Sequence, residues 1–236
     1  MSINNKFRIA LTMRVIETAE YKETRDAISH DWIRFLSAEQ CQILLVPNLP
    51  GNAVEFLRSQ KPDAVILSSG NDIGPLPGEL KATASFSIER DQTEAKIVEL
   101  CIEKQLPILG VCRGMQMLNI FFGGSLIRDL GNLTDSFTEH AGNTHSIESL
   151  DPVFFKWCGA KSQTNSYHRQ GVTNQTLAPG LRALATCGPV IEAIAHTSLP
   201  FVGIQWHPER SYSAACIDKH LLTSLKNGFI DLIGGT

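Results

Sequence analysis

What this chain lacks narrows its chemistry before any motif is read. No two of its six cysteines form a C-x-x-C pair, and none stands with histidines at zinc-ligand spacing, so neither a dithiol redox centre nor a metal site finds support. No apolar run approaches the roughly 20 residues of a membrane-spanning helix. The first residues, Met1-Ser2-Ile3-Asn4-Asn5-Lys6, lack the apolar core of a secretory signal. With unpaired cysteines, this leads to the expectation of a reducing cytoplasm. Charge of one sign is also missing. The 21 Lys and Arg against 24 Asp and Glu leave a net −3, which gives no electrostatic footprint for a nucleic acid polymer. Without a Pro/Gly/Ser-rich linker, repeat or low-complexity tract, residues 1–236 are expected to form a single domain with one substantial core.

Short apolar runs are present, alternating with helical patterns. The strand candidates are Phe7 to Thr12, Gln42 to Val46, Ala64 to Leu67, Pro107 to Val111, Val190 to His196 and Pro200 to Gln205. Ile28, Trp32, Phe35 and Leu36 recur at helical spacing, as do Ala95, Val98, Cys101 and Ile102. Ile217, Leu221, Leu225 and Phe229 suggest a closing C-terminal helix. This alternation predicts a three-layer α/β fold, a mostly parallel central sheet with helices on both faces. Cys101, Trp32, Met115 and Met117 read as packing. Residues 125–188 are rich in Asn, Thr, Ser, Gly and His, and are expected to form a small antiparallel or irregular insertion beside the main sheet.

Gly110-Val111-Cys112-Arg113-Gly114 follows one of these strands and opens the helix Gly114 to Ile120. G-x-C-x-G at a strand-to-helix turn is the thiol form of a nucleophile elbow. A lone Cys among apolar residues is more often an inert core residue. Here it would sit at a helix N-terminus, which favours the thiolate. A base and a carboxylate occur far downstream in Gln205-Trp206-His207-Pro208-Glu209. His207 can accept the thiol proton and later donate it to a leaving amine. Glu209, expected on the same side of an extended backbone, can fix the imidazole tautomer. For the oxyanion, the N–H of Arg113 is one donor. The loop Ser68-Ser69-Gly70-Asn71-Asp72 past the strand Ala64 to Leu67 can offer another, although such a loop usually only turns the chain.

These residues resemble the class I (triad) glutamine amidotransferases, and within them the free-standing branch that includes γ-glutamyl-γ-aminobutyrate hydrolases. Gly110 to Gln116 and Gly203 to Glu209 fit the family signatures, and Asn165-Ser166-Tyr167-His168 looks like the N-S-Y-H segment of the γ-glutamyl hydrolase branch. The resemblance implies a flavodoxin-like core, Cys112, His207 and Glu209 as the triad, and Gly70 and Arg113 as the oxyanion hole. It further implies that Gln116, Ser166, Tyr167 and His168 hold the glutamyl α-amino and α-carboxylate groups, with no cofactor and no metal. The chain departs from the pattern with Ser69-Gly70 in place of Gly-Gly, and with Arg169 where relatives often carry His or Gly.

The expected activity is cysteine-dependent hydrolysis of the γ-glutamyl amide bond of a small-molecule conjugate, through a γ-glutamyl thioester that releases glutamate. The alternative is a glutaminase subunit feeding ammonia to a partner synthase. Thr12-Met13-Arg14 and Tyr21 to Ala27 also look like a sub-branch that hydrolyses γ-glutamyl-CDP-amidates. Arg14 and Arg169, with Lys22 and Arg25, could therefore face an anionic leaving group. The plainer reading of these charges is a solvated helix face. No nucleic acid polymer and no membrane is expected as a partner, and a homodimer is left open.

Overall fold

Strands apolar at nearly every position form the centre of the molecule, as expected where both faces of a sheet are covered. The computed structural model describes residues 6–18, 20–76, 79, 85–133, 140–210 and 215–233. The chain runs β1 (Arg8–Thr12), β2 (Arg14–Thr18), β3 (Glu23–Ala27), α1 (His30–Ala38), β4 (Gln42–Val46), α2 (Pro50–Gln60), β5 (Ala64–Leu67), α3 (Ile88–Lys104), β6 (Ile108–Val111) and α4 (Arg113–Phe121). It continues with β7 (Ala141–Ser149), α5 (Pro152–Cys158), β8 (Lys161–Tyr167), β9 (Val172–Thr173), β10 (Leu181–Cys187), β11 (Val190–His196), β12 (Phe201–Ile204) and α6 (Ala215–Lys226).

One sheet takes the order β4-β1-β5-β6-β12-β11-β10-β7-β8, with β9 on β11. The pairs from β4 to β12 are parallel and those beyond are antiparallel. Alternating side chains feed two cores, which makes three layers. Ile9 and Leu11 pack with Trp32 and Leu36 of α1, Phe154 of α5, and Leu221 and Leu225 of α6. Ala10 and Val65 face the other way, toward Leu57 of α2, Ile97 and Cys101 of α3, and Met115 and Leu118 of α4. Each large side chain fully buried in this way contributes about 1.5–3 kcal/mol.

Two readings of the sequence are corrected. Residues 125–188 supply the expected antiparallel strands, but within the sheet and not beside it: β7, β8 and β10 extend it through backbone hydrogen bonds, and the segment Ser125 to Arg128 joins it only by an isolated bridge, Ile127 to Gly171. Arg14, Lys22 and Arg25 are not on a helix face, because β2 and β3 form a separate hairpin with Arg14 opposite Ala27. The hairpin is mostly polar and exposed, so it carries no apolar alternation. Helices α2 and α5 also escaped the periodicity. The first buries only Ala53 and Leu57 behind a Pro50-Gly51 start, and the second is a seven-residue helix capped by Asp151.

The loops that follow β1, β5, β6 and β12 all leave the carboxyl edge of the parallel strands. That edge is where ligands bind in open α/β sheets.

Candidate active site

The elbow is built by steric demand. A Cβ on Gly110 would lie 2.6 Å from the Gly114 carbonyl, and one on Gly114 would lie 2.1 Å from the Leu67 carbonyl oxygen, so only glycine lets α4 start this close to β5 and β6. Between them Cys112 adopts φ 53°, ψ −102°, a sparsely populated conformation that costs about 1–3 kcal/mol. It is held there by its own N–H donating to the Ile204 carbonyl at 2.7 Å and by its carbonyl accepting from the Gln116 N–H at 3.2 Å. The half-buried thiol therefore stands at the positive end of α4.

His207 comes to Cys112 from the end of β12, and its Nδ1 lies 2.8 Å from Glu209 Oε1. The backbone between them is not extended. Pro208–Arg210 is a 3₁₀ turn, for which the fixed φ of Pro208 is suited at the first position, and Glu209 meets the imidazole by curling back. Ser69 Oγ also donates to Glu209 Oε1, at 3.4 Å. His207 Nε2 is buried without a partner of full hydrogen-bond geometry, and faces the Cys112 thiol. Burial opposes the charge on both groups. It is outweighed for His207 by the Cys112 thiolate and by Glu209, which raise the imidazole to about 9. It is outweighed for Cys112 by His207 and, less strongly, His168, which bring the thiol below its ordinary value. Each group thus favours the charged form of the other.

The loop after β5 is clamped from below. Arg90 of α3, fully buried, donates to the Ser68 carbonyl at 2.7 Å, the Ser69 carbonyl at 3.1 Å and the Asn71 side chain at 3.3 Å. Its charge is balanced by Glu94 at 3.0 Å, which also pairs with the Arg113 side chain and accepts from Thr12 at 2.8 Å. The Arg113 side chain pairs with Asp91 as well, so it points into the core while its backbone faces the cavity. Gly70 has φ +131°, and a Cβ there would strike Arg90 Nη1 at 2.7 Å and the Arg14 Cβ at 2.8 Å.

A cavity of about 750 Å³ opens on Cys112. Of the residues expected from sequence, Gly70, Arg113, Gln116, Tyr167, His168 and Arg169 line it. Gln116 Nε2 is spent on the Gln170 carbonyl at 3.0 Å. Ser166 is not in the wall: its hydroxyl is buried and donates to the His140 carbonyl. Arg14 lies in a second groove of about 660 Å³ with Arg210, Ser29 and Asp31, joined to the first by Tyr167, which lines both. Lys22 and Arg25 line neither, and Arg25 is paired with Glu23 in solvent.

Sequence reading missed several residues. Asn165 grips the His207 backbone, Arg128 lines the cavity while tying down the Ile73 and Gly74 carbonyls, and Arg210 lies 4.3 Å over the Tyr167 ring. Glu192, His140 and His145 were missed too, although His168, which they surround, was not. Their positions in sequence are too scattered for a spacing rule; only the strand pattern of Val190 to His196 set Glu192 apart, as a charge in an apolar run. His140, His168 and Glu192 also bring metal-type ligand atoms together, as do His140, His145 and Cys187. In the first set, however, His140 Nδ1 and His168 Nε2 are 3.0 Å apart and share a hydrogen bond, and both lie within ion-pair distance of Glu192.

The sequence profile of the Peptidase C26 family matches residues 9–209, and the chain belongs to that family. It is 32% identical over 179 residues to the glutamine amidotransferase-like protein YvdE of Lactococcus lactis, covering 71% of this chain and 75% of that one. It is 28% identical over 210 residues to the gamma-glutamyl-CDP-amidate hydrolase of Campylobacter jejuni, covering 86% and 90%. The fold matches a glutamine amidotransferase from Thermotoga maritima with a TM-score of 0.59 at 16% identity, over 95% of both chains. Among the described residues no helix is long and apolar enough to cross a membrane.

Proposed function

We propose that the protein is a cysteine amidohydrolase that cleaves the γ-glutamyl amide bond of a small-molecule conjugate. The observation that carries this reading is the arrangement of Cys112, strained at the start of α4, against a His207 that is itself bonded to Glu209, all opening on one cavity. The Cys112 thiolate attacks the γ-carboxamide carbon, and the N–H groups of Gly70 and Arg113 hold the resulting oxyanion. His207 gives its proton to the departing nitrogen, the C–N bond breaks, and a γ-glutamyl thioester remains on Cys112. Water deprotonated by His207 then attacks the thioester carbonyl. Glutamate leaves and the thiolate returns.

Gln116, Tyr167 and His168 are suited to the glutamyl end of the substrate. The leaving group extends past Tyr167 into the groove of Arg14 and Arg210, whose two guanidinium groups favour a phosphorylated amine. Likeness to the gamma-glutamyl-CDP-amidate hydrolase over most of both chains supports this class.

The test is glutamate release from glutamine, γ-glutamyl-γ-aminobutyrate and CDP-linked glutamine, with Cys112→Ala as control. Rapid release from the phosphorylated conjugate, slow release from glutamine and none in the variant support the reading. Release from glutamine alone, rising when a synthase is added, would replace it with an ammonia-delivering glutaminase.

A further inference from the structure

Glu192 projects from β11 and is completely buried. Three imidazoles face its carboxylate: His140 Nδ1 is 3.2 Å and His168 Nε2 3.5 Å from Oε1, and His145 Nε2 is 3.4 Å from Oε2. A carboxylate stripped of water costs several kcal/mol unless a charge balances it. The imidazoles pair with it, and balancing its charge requires at least one imidazolium among them.

The contacts of His168 favour it as the charged one. His168 Nδ1 lies 2.9 Å from the Gln170 carbonyl, which can only accept, so this nitrogen carries a proton. His168 Nε2 lies 3.0 Å from His140 Nδ1, and one of the two must donate. Burial lowers the basicity of His140 more than Glu192 restores it. For His168 burial is outweighed by the Glu192 charge, helped by Cys112 and the Gln170 carbonyl, and its basicity rises. A His168 protonated at both nitrogens satisfies the Gln170 carbonyl and sets a positive charge 3.5 Å from Glu192 Oε1.

His168 lines the cavity with Cys112 and Gln116. The titratable groups around it are His140 and His145 from β7 and the residue before it, Glu192 from β11, Cys187 at the end of β10, and Cys112 from the elbow. Burial pushes the Cys187 thiol up to about 11, so it adds no charge.

We propose that Glu192 is a positioning residue whose buried carboxylate keeps His168 as an imidazolium at the cavity wall, a second fixed positive charge, besides His207, for the Cys112 thiolate and for the carboxylate of a γ-glutamyl substrate. The effect on the thiolate follows from the cluster alone, whereas the effect on substrate rests on the function proposed above.

Two measurements test the charge without any substrate. The first is an NMR titration of the His168 imidazole, assigned by its loss in His168→Asn. The resonance should keep its imidazolium position to a pH above the ordinary histidine value, whereas titration near that value of about 6.5 overturns the proposal. The second is alkylation of Cys112 by the neutral reagent iodoacetamide in Glu192→Gln, checked for folding by its thermal transition. Its pH profile should move up by about half to one unit, with Glu192→Asp between the two. A folded Glu192→Gln protein with an unmoved profile overturns the proposal.

With a hydrolysed conjugate in hand, Glu192→Gln should raise KM about tenfold and change kcat less than about threefold. Equal KM values contradict the substrate half. Metal analysis covers the rival occupant: a stoichiometric divalent transition ion lost in both His140→Ala and Glu192→Gln would make the cluster a metal centre and overturn the proposal. If no conjugate is hydrolysed, the titration and alkylation still decide the charge state, so failure of the activity is told apart from failure of the cluster.

Discussion

Asn165 and His207 are joined by two hydrogen bonds of 2.8 Å, the Asn165 amide donating to the His207 carbonyl and accepting from the His207 N–H. The end of β8 thus holds the backbone of the residue that faces Cys112. Asn165→Ala should lower kcat about 10- to 100-fold with little change in KM, because small displacements of a catalytic base are expensive. Asn165→Asp should be at least as damaging, since its carboxylate would face the His207 carbonyl without a donor. Steady-state kinetics on the best conjugate, with thermal unfolding as a folding check, measure both.

Arg90 supports the other side of the site. Arg90→Met would remove three donors from the Ser68–Asn71 loop and leave Glu94 with one cation fewer. We expect about 3–5 kcal/mol lower stability in denaturant unfolding. The gentler Arg90→Lys keeps the charge but loses the planar fork, and kcat should fall about 10²-fold as the Gly70 N–H drifts from the oxyanion position.

The thiolate–imidazolium pair fixes a pH range. Alkylation of Cys112 should persist to below the ordinary thiol value, since His207 holds the thiol down against burial. Hydrolysis should fall on the alkaline side near pH 9, where His207 loses the proton that the proposed mechanism gives to the leaving nitrogen. In His207→Ala the alkylation profile should move up toward that of a free thiol. An unmoved profile would show that His207 does not govern Cys112.

Asp218 predicts a pH effect on stability rather than on rate. It accepts from Trp206 Nε1 at 3.1 Å, and burial, only partly offset by that bond, pushes its carboxyl up to about 7. The folded state then binds a proton that the unfolded chain releases near its ordinary value of about 3.9. Stability is lost as pH rises between those two values. Asp218→Asn keeps an acceptor for Trp206 and removes the charge. It should raise the unfolding midpoint at about pH 8.5 and leave it little changed near pH 4.

The parallel half of the fold was legible because each buried strand is an uninterrupted apolar run, and Gly110 to Gly114 could be read because a tight elbow admits so few residues. The 3₁₀ turn at Pro208–Arg210 was not, since His-x-Glu brings the two side chains together in either backbone. Ser166 shows the limit of reading a motif residue by residue: its neighbours Tyr167 and His168 reach the cavity, while its own hydroxyl turns inward to His140. The Arg90–Glu94 and Glu192–histidine networks join residues whose meeting depends on the finished tertiary structure. Glu192, a charge in the apolar strand Val190–His196, was the only local sign, because Arg90 and Glu94 lie in the polar, charged start of α3.

The most direct test of the account is to trap the acyl-enzyme. Protein mixed with a γ-glutamyl conjugate is quenched in acid within its first turnovers and analysed by intact and peptide mass. The account predicts a γ-glutamyl adduct on the peptide carrying Cys112, absent in Cys112→Ala and accumulating when His207→Asn slows its hydrolysis. Glutamate release that continues undiminished in Cys112→Ala, with no adduct on Cys112 in the native protein, would contradict it.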